Sequence, residues 1–123
     1  MFPLLLGGLS QLVISSLAGD VTPAQTCASF ELSGVDNAVV TGRTFYNTGA
    51  NVTIANTYDA VSTTDLPAFC RIQLVVTTNS TANSSAQAEV WLPQQWNDRL
   101  LMVGNGGFGG GGQYDSLFNV IQC

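Results

Sequence analysis

A glycine-rich tract at residues 104–114 constrains the fold of this chain more than any other feature, because seven of its eleven residues are glycine. Glycine loses more backbone entropy on ordering than other residues, so the tract is a poor interior for a helix or a strand. Regular structure is therefore expected on either side of it. Directly before it, residues 100–103 form an unbroken apolar run, which predicts a strand buried on both faces.

Beyond the tract, apolar residues recur at the spacing of one helix face. They are Tyr114, Leu117, Phe118 and Ile121. This spacing predicts a helix that begins near Gln113. A buried strand, a glycine loop and a helix in this order are typical of the start of an α/β sheet. With no later strands or helices to cover them, the run at 100–103 and this helix face are expected to stay exposed.

Two stretches of alternating polarity precede the apolar run. Residues 71–77 and 86–92 each place apolar side chains on one face, and the polar run 77–85 predicts that they form a β-hairpin with a long tip. Residues 38–46 have the content of two short strands separated by a turn at Gly42. The predicted fold class is α/β, with the residues present mostly in β-structure.

Residues 1–18 have the character of a signal peptide. Their apolar stretch ends with small residues at Ser16 and Ala18, the −3 and −1 positions of a cleavage site before Gly19. A buried N-terminal helix is the alternative, and tandem glycines and a proline within the stretch disfavour it. Polar residues also interrupt the stretch, so no membrane span is expected. We therefore expect a secreted, extracellular protein.

Three N-x-[ST] triplets agree with secretion. They begin at Asn51, Asn79 and Asn83. The last two lie in the predicted hairpin tip, where an exposed chain tolerates a bulky glycan. All three asparagines are predicted glycosylation sites.

The cysteines are odd in number: Cys27, Cys70 and Cys123. In an oxidising compartment two of them can form a disulfide, and Cys27 with Cys70 is the expected local pair. Cys123, the last residue, then has no assigned partner. No metal site is expected, because the chain has neither C-x-x-C spacing nor histidine.

The charge balance excludes several classes of function. The chain has 3 basic residues, 8 acidic residues and a net charge of −5. Three scattered arginines cannot neutralise a row of phosphates, so a nucleic-acid partner is not expected, and a polybasic membrane-surface segment is absent. With no histidine, the chain cannot assemble a Ser-His-Asp triad or a Cys-His dyad by itself.

Three interpretations of the glycine tract remain open. Gly104, Gly106 and Gly109 satisfy G-x-G-x-x-G after a strand, but such a match means little in a tract this rich in glycine. A flexible linker between sheet and helix is the second interpretation. The third is an oxyanion loop, in which backbone amides stabilise a developing negative charge.

An ordered series of motifs carries a resemblance to a known family. It comprises Glu89-Val-Trp-Leu-Pro93, Trp96-Asn97, Arg99-Leu-Leu, Val103-Gly-Asn-Gly-Gly-Phe108 and Gly-Gly-x-x-Tyr114. In these residues the chain resembles the tannase and feruloyl esterase family of fungi and bacteria. The resemblance implies an α/β-hydrolase fold with a large lid domain, and hydrolysis of phenolic-acid esters such as gallates or feruloyl esters on plant polysaccharides. It also implies secretion, glycosylation and several disulfides.

The same resemblance implies that residues 19–123 are the N-terminal fragment of a longer catalytic domain. The family's nucleophilic serine, in a Cys-Ser motif, its Asp and His, and its calcium-binding lid have no counterpart in this chain. Gly106 and Gly107, which match the family's glycine loop, are the only candidate catalytic positions, as oxyanion-loop backbone. No cofactor is expected in this chain, and no esterase activity is expected from it alone.

A non-enzymatic alternative is a secreted β-rich module that binds carbohydrate. Trp96 and Tyr114 flank the glycine tract and would serve as exposed platforms for sugar rings. Trp91, in an alternating strand pattern, is expected to be a packing residue. The partner would then be plant or cell-wall polysaccharide rather than a phenolic ester.

Overall fold

The computed structural model describes residues 19–54 and 61–104, together with Tyr114, Phe118 and Ile121. The predicted signal peptide, the candidate residues Gly106 and Gly107, and Cys123 lie outside the described residues.

The described residues are mostly β-structure, as expected. They form one short helix and five strands: α1 (Pro23–Ala28), β1 (Ala38–Tyr46), β2 (Val52–Ile54), β3 (Val61–Thr63), β4 (Phe69–Asn79) and β5 (Ser84–Pro93). Strands β1, β4 and β5 make a sheet of order β1-β4-β5, and β2 pairs with β3 in a second sheet. Every pairing is antiparallel. No helix in the described part of the chain is long and apolar enough to cross a membrane.

The predicted hairpin is confirmed by β4 and β5, but its tip is shorter than expected. Ile72 faces Val90, and the ladder continues as far as Asn79 opposite Ser84. The polar residues assigned to the tip extend the strands, because ladder hydrogen bonds come from the backbone and Thr favours extended structure. The hydroxyls of Thr78 and Ser84 are 2.8 Å apart across the ladder.

Residues 38–46 form one strand rather than two, which corrects the predicted turn at Gly42. The register shifts between Val40 and Gly42, so the glycine lies at a β-bulge within β1. A Cβ at Gly42 would lie 2.5 Å from Oε1 of Gln73 on β4. The end of the Gln73 side chain therefore occupies the space beside Gly42 that a larger residue would need. The sequence pattern alone did not distinguish this position from a turn.

The three-stranded sheet is packed on both faces because side chains alternate along β4. One face carries a core formed by Cys27, Cys70 and Ile72, with Phe30, Val40, Phe45 and Leu74 around it. The other face carries a core rich in aromatic residues. Its members are Val52, Ile54, Leu66, Phe69 and Phe118, with Tyr46, Trp91, Tyr114 and Ile121 packed against them.

A disulfide between Cys27 and Cys70 joins α1 to β4, with the two Cα atoms 5.6 Å apart. The helix has a capping box in which the Thr22 hydroxyl accepts from the N–H of Gln25 and the Gln25 side chain accepts from the N–H of Thr22. This cap orients a helix of only 6 residues, which would not be stable without its tertiary contacts.

Residues 100–103 do not form the predicted strand, and they are mostly exposed, as was expected of this run in the chain alone. They belong to no strand, and Leu100 and Met102 are 90% and 93% exposed. An apolar run becomes a buried strand only where another strand pairs with it, and no described strand lies beside it.

The three described residues beyond the glycine tract are helical, in line with the predicted helix. They do not stay exposed as expected: Phe118 is 7% exposed, and Tyr114 and Ile121 pack against the aromatic core.

Candidate functional site

A cluster of polar and aromatic side chains lies on the aromatic face of the sheet. Its members, Arg71, Gln73, Glu89, Trp91 and Tyr114, are called the Glu89 cluster below. Strands β4 and β5 place the first four, because Arg71 faces Trp91 and Gln73 faces Glu89 in the ladder. Tyr114 comes from the helical segment beyond the glycine tract.

Arg71 and Glu89 form a bidentate ion pair at the centre of the cluster. Nε of Arg71 donates to Oε2 of Glu89 at 2.9 Å, and Nη2 donates to Oε1 at 2.6 Å. The two side chains are 13% and 14% exposed. A two-point contact between a planar guanidinium and a carboxylate fixes the relative orientation of both groups.

Three further donors complete the shell around the Glu89 carboxylate. Trp91 Nε1 donates to Oε2 at 3.0 Å, the Tyr114 hydroxyl donates to Oε1 at 3.0 Å, and Gln73 Nε2 donates to Oε1 at 3.3 Å. A carboxylate offers about four lone-pair sites. Five hydrogen bonds therefore occupy this one fully.

The ionisation states follow from these contacts. Burial raises the pKa of Glu89, but the hydrogen bonds from Arg71 and Trp91 and the charge of Arg71 outweigh it, so the pKa lies below its usual value. Burial likewise disfavours the charged form of Arg71, and Glu89 more than compensates, which raises its pKa. Burial and the Glu89 charge raise the pKa of Tyr114. At neutral pH the cluster is thus a carboxylate, a guanidinium and a neutral phenol.

The Glu89 cluster is suited to holding structural elements in position rather than to catalysis. A general base or nucleophile needs a free lone pair and access to substrate, and Glu89 has its lone pairs occupied. What the cluster does is connect elements: Glu89 on β5 joins Arg71 on β4 to Tyr114 beyond the glycine tract. The Arg71 guanidinium also lies 5.9 Å from the centroid of the Tyr114 ring.

Aromatic contacts continue the same connection into the core. Phe69 stacks between Tyr46 and Trp91, with ring centroids 5.1 and 4.7 Å apart. Trp91 in turn contacts the rings of Phe118 and Tyr114 at centroid distances of 5.5 and 6.3 Å. Trp91 is therefore a packing residue, as predicted.

The two predicted sugar platforms differ in the structure. Tyr114 is half-buried in the Glu89 cluster, where its hydroxyl is bonded to Glu89 and its ring contacts Arg71 and Trp91. Trp96 is 62% exposed, and its indole N–H donates to the carbonyl of Arg99 at 2.9 Å. The candidate oxyanion residues Gly106 and Gly107 lie outside the described residues.

The sequence contained a signal for the cluster that its interpretation missed. Arg71 and Glu89 were the charged residues within the two halves of the predicted hairpin, and same-face opposite charges on paired strands attract. Their alignment depends on the register, which depends on the tip length, and the tip was predicted too long.

A shallow apolar cleft of about 240 Å³ lies on the opposite face of the sheet, beside the disulfide. Phe30, Phe45 and Leu92 line it, together with both disulfide cysteines and Pro23, Thr26 and Gln94. In the described part of the chain no three His, Cys, Asp or Glu side chains lie close enough to hold a metal ion.

Comparison with curated proteins identifies the family to which the chain belongs. The chain is 38% identical over 97 residues to a protein of Aspergillus oryzae named probable feruloyl esterase B-1. That match covers 74% of this chain. The chain belongs to the feruloyl esterase and tannase-like family.

Two further curated relatives support the same family. One is probable feruloyl esterase B-2 of Aspergillus flavus, 44% identical over 57 residues and 46% of this chain. The other is probable feruloyl esterase B of Emericella nidulans, 41% identical over 49 residues and 40% of this chain. The matches cover 18%, 10% and 9% of the three relatives, so the chain corresponds to less than a fifth of their length.

No protein-family profile matches the chain, and no solved structure matches it. The family assignment therefore rests on the three curated relatives, and the fold described above is the mostly-β arrangement of its own residues.

Proposed function

We propose that this chain is the N-terminal part of a secreted carboxylic ester hydrolase of the feruloyl esterase type, acting on phenolic-acid esters of plant cell-wall polysaccharide. The observation that carries the proposal is the 38% identity over 97 residues to a probable feruloyl esterase B-1. The complete enzyme would adopt an α/β-hydrolase fold, to which the described strands β1–β5 would contribute an antiparallel portion.

The reaction would be acyl transfer through a serine. The serine oxygen attacks the ester carbonyl, the alcohol leaves, and water then releases the phenolic acid. Because this chain has no histidine, a histidine base that activates the serine would belong to another part of the complete enzyme. The backbone N–H groups of Gly106 and Gly107 are the candidates for stabilising the oxyanion, and no metal is required of this chain.

The Glu89 cluster suits a supporting role in such an enzyme. An oxyanion loop contributes only if its amides are held in place before the substrate arrives. Tyr114 is tied to Glu89 directly after the glycine tract, at 3.0 Å, and Glu89 is tied in turn to Arg71. We infer that this connection fixes the C-terminal end of the tract on the sheet.

Secretion is part of the proposal. The disulfide between Cys27 and Cys70 suits an oxidising compartment, and such bonds are rare in the cytosol. The signal-peptide character of residues 1–18 and the three N-x-[ST] triplets agree with this location.

Sequencing the transcript across the Cys123 codon tests the proposal. We expect an open frame that continues to a Cys-Ser motif and a later histidine. The protein encoded by that frame should hydrolyse methyl ferulate or methyl gallate, and a Ser→Ala change in the Cys-Ser motif should abolish the rate. A frame with no such serine and histidine, or an inactive complete product, would refute it.

The alternative, a carbohydrate-binding module, has one observation in its favour: the 62% exposure of Trp96. Titration of the chain with arabinoxylan tests it by tryptophan fluorescence. A saturable change would support the alternative if calorimetry, which needs no indole as reporter, also shows that binding is lost in Trp96→Ala and kept in Trp96→Phe. No change at polysaccharide saturation would eliminate it.

A further inference from the structure

We propose that the buried charges of the Glu89 cluster specify the position at which the chain beyond the glycine tract docks on the sheet. Arg71 and Glu89 thereby act as positioning residues for ester hydrolysis, because the docked segment begins at the end of the candidate oxyanion loop. This second part rests on the proposed function, whereas the docking is a property of the 123-residue chain itself.

The Arg71–Glu89 pair lies in an unfavourable place for charges. Its side chains are 13% and 14% exposed, and it contacts the aromatic side chains of Trp91 and Tyr114. Burial disfavours the charged form of each group. Desolvation offsets much of the attraction within a buried ion pair, so an apolar pair of similar volume is often as stable or more stable. Stability alone therefore does not explain why charged residues occupy this place.

The apolar contacts of the docked segment do not define a single position. Tyr114 and Phe118 are both helical and lie about one helical turn apart, and their rings lie 6.3 and 5.5 Å from the ring of Trp91. A shift of the segment by one turn, about 5.4 Å, would bring Phe118 to the place of Tyr114, and an aromatic ring would still cover Trp91. Apolar contact is non-directional, so it discriminates only weakly between these two positions.

The hydrogen bond to Glu89 does discriminate between them. The Tyr114 hydroxyl donates to Oε1 of Glu89 at 3.0 Å, whereas a phenylalanine ring in the same place offers no donor. The shifted arrangement would leave a partly buried carboxylate without one of its partners, which costs free energy. A single buried polar side chain fixes the register of a coiled coil in the same way.

The acceptor is built by the hairpin alone. The two-point contact from Arg71 orients the Glu89 carboxylate, and Trp91 Nε1 and Gln73 Nε2 donate to it at 3.0 and 3.3 Å. All four side chains lie on β4 or β5, whose ladder fixes their alignment. The carboxylate is therefore preorganised on the sheet, and the segment beyond the tract contributes only the donor of Tyr114.

The docking position matters for the proposed reaction because Gly106 and Gly107 belong to the tract that ends at Tyr114. A one-turn shift would move that end of the tract by about 5.4 Å. A misplacement of about 1 Å is enough to cost an enzyme about 100-fold in rate. We therefore expect a shifted segment to reduce the rate of the chemical step.

An apolar replacement of both charges separates position from stability. Arg71→Met combined with Glu89→Met keeps two unbranched side chains and removes both charges. This double variant should unfold at a higher urea concentration than Glu89→Gln alone, because it leaves no charge buried without its partner. Its segment beyond the tract, however, should occupy more than one position.

Nuclear Overhauser contacts of the Phe118 ring report that position. In the unaltered chain we expect one set of signals, with contacts from Phe118 to Trp91. The double variant should give a second set, in which the Phe118 ring contacts the methyl group introduced at position 89. Tyr114→Phe should also give a second set, because it removes the donor and leaves both charges in place.

The matched control makes the same replacement at an exposed ion pair. Arg43→Met combined with Glu31→Met removes the pair whose side chains are 26% and 83% exposed, and it should keep the single set of Phe118 signals. The docking proposal is overturned if the Arg71→Met, Glu89→Met variant keeps a single set or unfolds more easily than Glu89→Gln. A second set of signals in the control overturns it too.

Kinetics of the complete enzyme encoded by the extended frame test the second part. The Arg71→Met, Glu89→Met variant and Tyr114→Phe should each lower kcat for methyl ferulate by at least about tenfold and change KM by less than about twofold. The control should keep both constants. An active enzyme whose kcat is unaffected by these variants overturns the positioning role. Inactivity of the unaltered enzyme counts against the proposed function instead, and the Phe118 contacts still decide the docking.

Discussion

The hydroxyl of Tyr114 donates a hydrogen bond of 3.0 Å to the carboxylate of Glu89, 25 residues earlier in the chain. The bond spans the whole glycine tract, so two elements that the tract would otherwise leave independent are held together. Because Glu89 is also bound by Arg71, the segment beyond the tract is tied to both strands of the hairpin.

Removal of the Tyr114 hydroxyl should weaken this connection measurably. Tyr114→Phe keeps the ring in the aromatic core and deletes one hydrogen bond to a charged, partly buried acceptor, so we expect a loss of about 1.5 kcal/mol in the free energy of unfolding. Urea unfolding of the 123-residue chain gives the value. Trp96→Phe deletes an exposed hydrogen bond to the Arg99 carbonyl and should cost less than about 0.5 kcal/mol. Equal losses of unfolding free energy in the two variants would show that the Tyr114–Glu89 hydrogen bond has no special stabilising role.

The Arg71–Glu89 ion pair should stabilise the fold far more than the ion pair between Arg43 and Glu31. Glu89→Gln leaves the guanidinium of Arg71 partly buried without its counter-charge, and we expect a loss of about 3 kcal/mol. Glu31→Gln removes the partner of Arg43, but Glu31 is 83% exposed, so the loss should stay below about 1 kcal/mol. Both values come from the same urea titration. A smaller effect for Glu89→Gln than for Glu31→Gln would show that the cluster is not a stabilising connection.

Acid should weaken the fold through Glu89. Its pKa is lowered in the folded protein, so the stabilisation is present above the unfolded pKa of about 4.3 and is lost as the pH falls through the folded value. We expect the unfolding free energy to fall with acidification below about pH 5. In Glu89→Gln the contribution of Glu89 ionisation should be missing, so the unfolding free energy should depend less on pH in this range. Parallel profiles for the two proteins would exclude Glu89 as its source.

The disulfide should stabilise the fold by reducing the conformational entropy of the unfolded chain. Cys27 and Cys70 are separated by 43 residues, and closing a loop of this length stabilises the fold by about 4 kcal/mol in the chain-entropy description. The double variant Cys27→Ser, Cys70→Ser should lose stability of that order, and dithiothreitol should destabilise only the unaltered chain. If the variant unfolds at the same urea concentration as the oxidised chain, the bond does not constrain the fold.

The sequence correctly predicted the elements whose pattern of apolar residues lies within one short stretch of the chain. The alternation of polarity in residues 71–77 and 86–92 was sufficient to predict the hairpin, because such alternation is typical of strands. It did not predict burial in the second half, where Ala88, Val90 and Leu92 are exposed. The spacing of Tyr114, Phe118 and Ile121 likewise predicted a helical segment, and all three residues are helical.

Features that depend on a partner elsewhere in the chain were missed. The run at 100–103 was predicted to be a strand, but an apolar run becomes a buried strand only beside a neighbouring strand that the run itself cannot specify. Gly42 indicates a turn by composition, and only the pairing of β1 with β4 shows that it is a bulge. The Glu89 cluster required the exact alignment of β4 with β5, which the polar tip residues obscured.

Hydrolysis of methyl ferulate by the purified 123-residue chain tests the central claim most directly. The chain has no histidine, and the carboxylate of the Glu89 cluster is fully occupied by hydrogen bonds. We predict no rate above the buffer blank, because a chain without histidine has no imidazole base to activate a serine nucleophile. A rate above the blank that is retained through repeated purification would contradict the account.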